Sequence, residues 1–168
     1  MTLTDLIKNN EMAEYRILTM NLLKSSPFIY ELLTTKQLES EEQIDELDWK
    51  NIIPQLFVDT TITESQAYIA FDFTSKVNSV DTFKTTHVYF QIICNKKIVV
   101  LPDKIGTRCD AIISEIYRLF KDKNTLGIGH NTEISNSIIN ISNPDFVARE
   151  IIFKVADFEE RVKKRYGR

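Results

Sequence analysis

The chain has 168 residues, a net charge of −3 and 43% hydrophobic side chains, which is enough to fill one core and gives no broad basic face for gripping nucleic acid. Four glycines and four prolines leave little material for long linkers or Gly-rich phosphate loops. Two cysteines far from CxxC spacing, and an N-terminus without a signal-peptide pattern or apolar span, lead us to expect a protein of a reducing cytoplasm with free, buried thiols.

In chain order, residues 1–36 read as helical. In "EMAEYRILTMNLLKSS" the residues Met12, Tyr15, Leu18, Leu22 and Leu23 recur at helical spacing. Ser26 followed by Pro27 is a helix start, and "PFIYELLTT" continues it with Phe28, Leu32 and Leu33 as the expected buried set. Residues 37–56 form an acidic connector with Glu39, Glu41, Glu42, Asp45, Glu46 and Asp48, whose end Trp49 and Ile52 should pin to the core. The acids lack the alternating oxygen ligands and central Gly of a calcium loop.

Residues 57–158 form an α+β core. In "AYIAFDFTSK" Ile69, Phe71 and Phe73 share one face of a strand, and Tyr68, Ala70, Asp72 and Thr74 the other. In "FKTTHVYFQIICNKK" Val88, Phe90, Ile92 and Cys94 alternate with His87, Tyr89, Gln91 and Ile93, and "VNSVD" between the two runs suits a hairpin loop. The clearest helix lies in "PDKIGTRCDAIISEIYRLFKDK". Its stripe is Ile105, Cys109, Ile112, Ile113, Ile116 and Phe120, opposite Arg108, Asp110, Glu115, Arg118 and Lys121. After "TLGIGH", the runs "TEISNSIINIS" and "FVAREIIFKVADF" form a second hairpin through "NPD", with Ile151, Phe153 and Val155 facing away from Glu150, Ile152 and Lys154. Ile134 and Ile138 fall out of phase with Ile139 and Ile141, which predicts a bulge near Ser137 to Ile139. Residues 159–168 are a basic tail. The predicted fold is a single α+β domain: a mostly antiparallel sheet of about four strands with helices on one face.

Catalytic readings find little support. Glu64 and Asp72 are eight residues apart, on the order of 26 Å along a regular strand, too far to share a substrate bond. His87 and His130 lack HxH or HExxH companions. Cys94 alternates with core residues and Cys109 lies in the helix stripe, which argues against a reactive thiol. "GIGH" misses the third glycine of a dinucleotide fingerprint. "NPDFVAREIIFK" brings Pro144, Asp145, Glu150 and Lys154 near a nuclease pattern, but three residues separate Glu150 from Lys154 where that pattern has one. No enzyme activity, cofactor or metal is expected. Arg161, Lys163, Lys164 and Arg165 read as a solvated terminus or as a basic arm reaching a neighbouring subunit or a phosphate backbone.

The order of segments, from "ILTMNLLKSSPFIYELLTT" through the acidic connector, "ITESQAYIAFDF", "HVYFQIICNKK", "IISEIYRLF" and "LGIGH" to "REIIFKVADF", resembles the tail terminator proteins of long-tailed bacteriophages. That resemblance implies a non-catalytic α+β subunit of the virion, made in the host cytoplasm, that forms a ring, usually of six, on the last ring of the tail tube. Its partners would be itself, the tube protein, the neck or connector and, in contractile tails, the sheath, with DNA passing through the channel without specific binding. The mixed sheet face, Tyr68, Asp72, His87, Tyr89, Gln91, Ile93, Glu150, Ile152 and Lys154, is then the expected interface. Another neck or head-completion protein, a small metal-dependent hydrolase or nuclease, and an adaptor binding peptides on a sheet edge are the alternatives.

Overall fold

A computed structural model describes residues 10–40, 42–56, 65–77, 83–124, 126–127 and 129–158. Helix α1 (Glu11–Lys24) starts where Asn10 Oδ1 accepts the Met12 N–H at 2.9 Å, with Glu11 and Glu14 in the first turn and Lys24 in the last, all in keeping with the helix dipole. Its buried stripe is Tyr15, Thr19 and Leu23, with Met12, Met20 and Leu22 packed beside it. Leu18, expected inside, is exposed: the true stripe advances by four residues at each step, through Thr19.

Helix α2 (Pro27–Thr34) begins at Pro27 and ends where Thr35 turns left-handed, φ 62°. Ile29, Tyr30 and Leu33 are buried whereas Phe28 is 60% exposed, which corrects the predicted set. "PFIYELLT" is apolar on nearly every side, so periodicity alone could not choose its inner face. The connector holds a single turn, α3 (Glu42–Asp45). It is pinned by Leu47 rather than by Trp49: Leu47 is buried and its carbonyl accepts the N–H groups of Lys50, Asn51 and Ile52, while Trp49 stands 67% exposed.

Strand β1 (Ile52–Ile53), which sequence patterning missed because two residues carry no period, lies parallel to β2 (Ala67–Val77). β2 pairs antiparallel with β3 (Phe83–Asn95), aligning Ile69 with Ile92, Phe71 with Phe90 and Phe73 with Val88. Helix α4 (Arg108–Phe120) is capped by Thr107, whose hydroxyl accepts the Asp110 N–H and lies 2.6 Å from the Asp110 carboxylate. Ile105 precedes this helix and is 86% exposed, so it does not belong to the stripe; Arg108 and Glu115, expected on the solvent side, are buried. Strands β4 (Thr132–Ile139) and β5 (Phe146–Phe158) form the second hairpin, and β5 inserts between β3 and β4 to give the order β1-β2-β3-β5-β4. β3 and β4 therefore run parallel with α4 as their crossover, a split β-α-β arrangement.

The sheet is mostly antiparallel, as the alternation predicted, and the helices cover one face. On that face Phe71, Phe90, Phe120 and Phe153 pack ring to ring, with Phe90 and Phe120 centroids 5.0 Å apart, so α4 is joined to three strands through one aromatic cluster. The register shift in β4 falls between Glu133 and Ser135, not near Ser137 to Ile139: the chain inserts its extra residue at Ile134, before the isoleucine pattern changes phase. Gly127, φ 71°, passes so close to β5 that a Cβ there would lie 2.5 Å from the Ala156 carbonyl oxygen.

Candidate assembly surface

Register places the residues of the face opposite the helices in cross-strand rows. Asp72, Tyr89 and Ile152 form one row; Thr74, His87 and Lys154 the next; Ala70, Gln91 and Glu150 a third; Tyr68, Ile93 and Ala148 a fourth. All nine residues that the sequence pointed to thus lie on one face, drawn from strands some 60 positions apart in the chain. They differ in what they can offer. Tyr68 and Ile93 are 2% and 4% exposed, closed into a second small apolar cluster with Ala70, Phe146 and Ala148, Tyr68 packing on the Phe146 ring at 6.2 Å. Their side chains have no surface left for a partner, which corrects their place in the expected interface: neighbouring apolar rows of the same chain already bury them.

Asp72 is held internally as well. Arg16 of α1 brings Nη2 to 2.5 Å from its Oδ1 and donates from Nε to the Pro54 carbonyl at 3.1 Å, tying helix, connector and strand together. About a third of each side chain is exposed, so the pair contributes on the order of 0–1 kcal/mol. The remaining six residues form the surface proper. His87, Tyr89, Gln91, Glu150 and Ile152 are half-buried and Lys154 is exposed. Gln91 donates to Glu150 at 3.1 Å, the Thr74 hydroxyl reaches the Tyr89 hydroxyl at 3.4 Å, and the His87 and Tyr89 rings meet edge to face at 6.3 Å. The result is an amphipathic patch with rings and one isoleucine at its centre and a carboxylate and an ammonium at opposite ends. Beside it β4 is an edge strand with exposed Ile134 and Ile138 and one charge, Glu133.

The other candidates do not converge on a reaction centre. Glu64 and the basic arm Arg161, Lys163, Lys164 and Arg165 lie outside the described residues. His130 is engaged at Nδ1, 2.7 Å from the Asp122 carbonyl oxygen. Cys94 and Cys109 are free and buried, on β3 and α4, and the Cys94 thiol is pushed up by its hydrogen bond to Cys109 and by burial. Asp145 sits exposed in the β4–β5 turn, while Glu150 is bonded to Gln91 on the sheet. Among the described residues no three His, Cys, Asp or Glu side chains gather in a group that could hold a metal ion, and no helix is long and apolar enough to cross a membrane.

Sequence reasoning missed the polar seam between α2 and α4. The Ser26 hydroxyl, left uncapping by α2, donates to Glu115, and Arg118 clasps the same carboxylate through Nη2 and Nε at 2.5 and 2.9 Å. These contacts, Arg118 first and Ser26 after it, hold the Glu115 carboxyl below its usual range against the opposing effect of burial. Arg108 donates to the carbonyls of Ile98, Leu32 and Glu31, clamping the C-terminal end of α2 to the segment after β3. The one local signal for it was position: an arginine at the first turn of a helix, where a cation opposes the dipole, needs another reason to be there.

A family model, YomW, matches residues 22–155, from the end of α1 to the last core residue of β5. The chain belongs to the YomW family. That family is of Bacillus phage type, so the protein is phage-related. No curated protein matches the chain. The YomW match takes in the open-face residues of all three strands β2, β3 and β5 and the whole α2–α4 seam.

Proposed function

We propose that this phage-related protein is a tail terminator: a structural subunit of the virion that forms a ring on the last ring of the tail tube and joins it to the neck. The observation that carries the reading is the open sheet face, a five-stranded sheet covered by helices on one side and bearing on the other a half-buried centre of Tyr89, Gln91 and Ile152 flanked by Glu150 and Lys154. An antiparallel sheet tolerates water on one face, but rings and an isoleucine set among balanced charges have the composition of an assembly surface. Membership of a phage-type family agrees with a role in the virion. The mild negative charge suits a channel through which DNA must slide.

The test is size-exclusion chromatography with light scattering, on the protein alone and mixed with the tube protein of its phage. The reading expects assemblies several times the 19.5 kDa subunit mass, bound at the tube end. Ile152→Asp should weaken tube binding by roughly 30-fold, the equivalent of about 2 kcal/mol for one buried aliphatic side chain. A chain that stays strictly monomeric in both experiments overturns the proposal.

A further inference from the structure

β4 is one edge of the sheet: β5 pairs with it on one side, and among the described residues no strand pairs with the other. The outward N–H and C=O groups of an edge are a template for a further strand, and native edges are blunted by lysine, proline or a bulge. β4 contains neither lysine nor proline, and Glu133 is its one charge. Its bulge lies at Ile134, close to the start of the strand, so Ser135 to Ile139 run regularly along β5.

Cross-strand partners sort the side chains of β4. Ser135, Ser137 and Ile139 oppose Ile152, Glu150 and Ala148 on the open face, whereas Asn136 and Ile138 oppose Ile151 and Arg149 on the helix side. In a bulge two residues oppose one, so Ile134 joins Glu133 opposite Phe153, also on the helix side. Ile134, Asn136 and Ile138 thus form a row on the outermost strand, with its two isoleucines 48% and 81% exposed. The asparagine between them is engaged within its own chain. Its Nδ2 donates to Tyr117 Oη at 3.1 Å, and its Oδ1 accepts from Arg149 Nη2 at 2.8 Å.

The sequence of the edge selects a partner. Ile134, Ser135, Asn136, Ser137 and Ile138 read the same in both directions, "ISNSI". An antiparallel copy related by a two-fold axis at Asn136 sets Ile134 against Ile138, Ser135 against Ser137 and Asn136 against its own counterpart. Each row then keeps to one face of the joined sheet, and Glu133 meets Ile139, so that no like charges oppose each other. We propose that β4 pairs in this register with β4 of a second copy of this chain, joining two five-stranded sheets into one. Each exposed isoleucine gains the apolar neighbour it lacks in the single chain, once at each end of the pair. The Asn136 amides at the axis are already bonded, so closing the edge leaves neither of them without a partner. A two-fold contact of this kind is isologous and closes at two copies. It does not rest on the ring reading, because it uses the strand edge and leaves the two open faces side by side and uncovered.

The experiment uses the full chain as wild type, Ile134→Lys, Ile138→Glu and the double variant, each checked for folding by circular dichroism and thermal melting. Both positions are exposed, and each new charge has an opposite one nearby, Glu133 for the lysine and Arg149 for the glutamate. Light scattering over a dilution series should find a wild-type dimer of about twice the 19.5 kDa subunit mass. Either single substitution sets a charge against an isoleucine at both ends of the pair and should weaken the dimer about 10-fold or more. The double variant sets lysine against glutamate at both ends of the same register and should recover most of that loss. A wild type that stays monomeric overturns the pairing. Single variants that dimerise as tightly as the wild type overturn it too, as does a double variant no tighter than the singles. Wild-type rings whose mass neither substitution changes overturn the pairing and leave the ring reading standing. A monomeric wild type whose tube binding either substitution weakens assigns the edge to the tube protein, and that also overturns pairing between copies.

Discussion

Replacing Arg108 by methionine keeps most of the side-chain stem and removes the guanidinium that ties α2 to α4. Two of its bonds are short, to Leu32 O at 2.9 Å and Ile98 O at 3.0 Å; the third, to Glu31 O at 3.4 Å, is too long to weigh much. Charge-assisted bonds contribute about 1.5–3 kcal/mol each, and the cation at the C-terminal end of α2 gains a further ~0.3–1 kcal/mol from the helix dipole. Three effects work in the other direction, the first being that the cation stands in the first turn of its own helix, where it opposes the dipole. Burial pushes the Arg108 guanidinium down, so its removal recovers a desolvation cost, and the open groove that Arg108 lines between α2 and α4 admits water that can rehydrate the Leu32 and Glu31 carbonyls. The balance is a loss of about 2–3 kcal/mol, with Arg108→Lys intermediate because an ammonium on a shorter stem cannot span both carbonyl sets. Urea titration reads it as a lower midpoint at unchanged slope. A loss below about 0.5 kcal/mol would refute the clamp and show that α2 is held by Ile29, Tyr30 and Leu33 alone.

Two further outcomes follow from the same packing. Glu115 has a folded-state carboxyl held below its unfolded value, so its contribution is present above about pH 4.3 and is lost as pH falls through the folded value. Urea midpoints taken from pH 6 to pH 3 should therefore fall more steeply for the wild type than for Glu115→Gln, by at most about 1 kcal/mol because Arg118 is largely in water; parallel curves would remove the seam from the account. Gly127→Ala places a Cβ 2.5 Å from Ala156 O and 2.8 Å from Val155 Cγ1 on left-handed backbone. A loss of about 3 kcal/mol, or roughly 6–12 °C in Tm, should result, while Gly106→Ala, with nothing within 4 Å of its Cβ, should leave Tm nearly unchanged.

Where one period dominates, the fold was legible. The alternation in β2, β3 and β5 named the inner residues Phe71, Phe90 and Phe153 correctly, and with them the face on which His87, Tyr89, Gln91, Glu150 and Ile152 stand. Legibility failed where two periods are equally good or none exists. α2 is apolar on several sides, so Phe28 and Ile29 exchange places; β1 is too short to show alternation; and the phase change in β4 could be repaired at more than one residue. Charge misled in a different way. Arg108 and Glu115 read as solvent residues because most arginines and glutamates are, yet each is buried on partners that local spacing does not reveal: carbonyls some 76 residues away for Arg108, and for Glu115 a serine 89 residues away besides the nearby Arg118.

The surfaces posed the harder problem, for a physical reason. A sequence reports which face of an element is apolar, but a residue such as Tyr68 or Tyr89 becomes core or surface only once non-local pairing decides its neighbours. Both tyrosines alternate away from the helix-covered face. Tyr68 falls in the row that Ile93 and Ala148 complete, and closes; Tyr89 falls between Asp72 and Ile152 and stays half open. The boundary between the closed and open rows is the Gln91–Glu150 pair, where polar side chains bond across the strands and end the apolar cluster. The Gln91–Glu150 row is thus the inner limit of the open face, and the rows of Asp72 and Thr74 extend it away from the closed cluster.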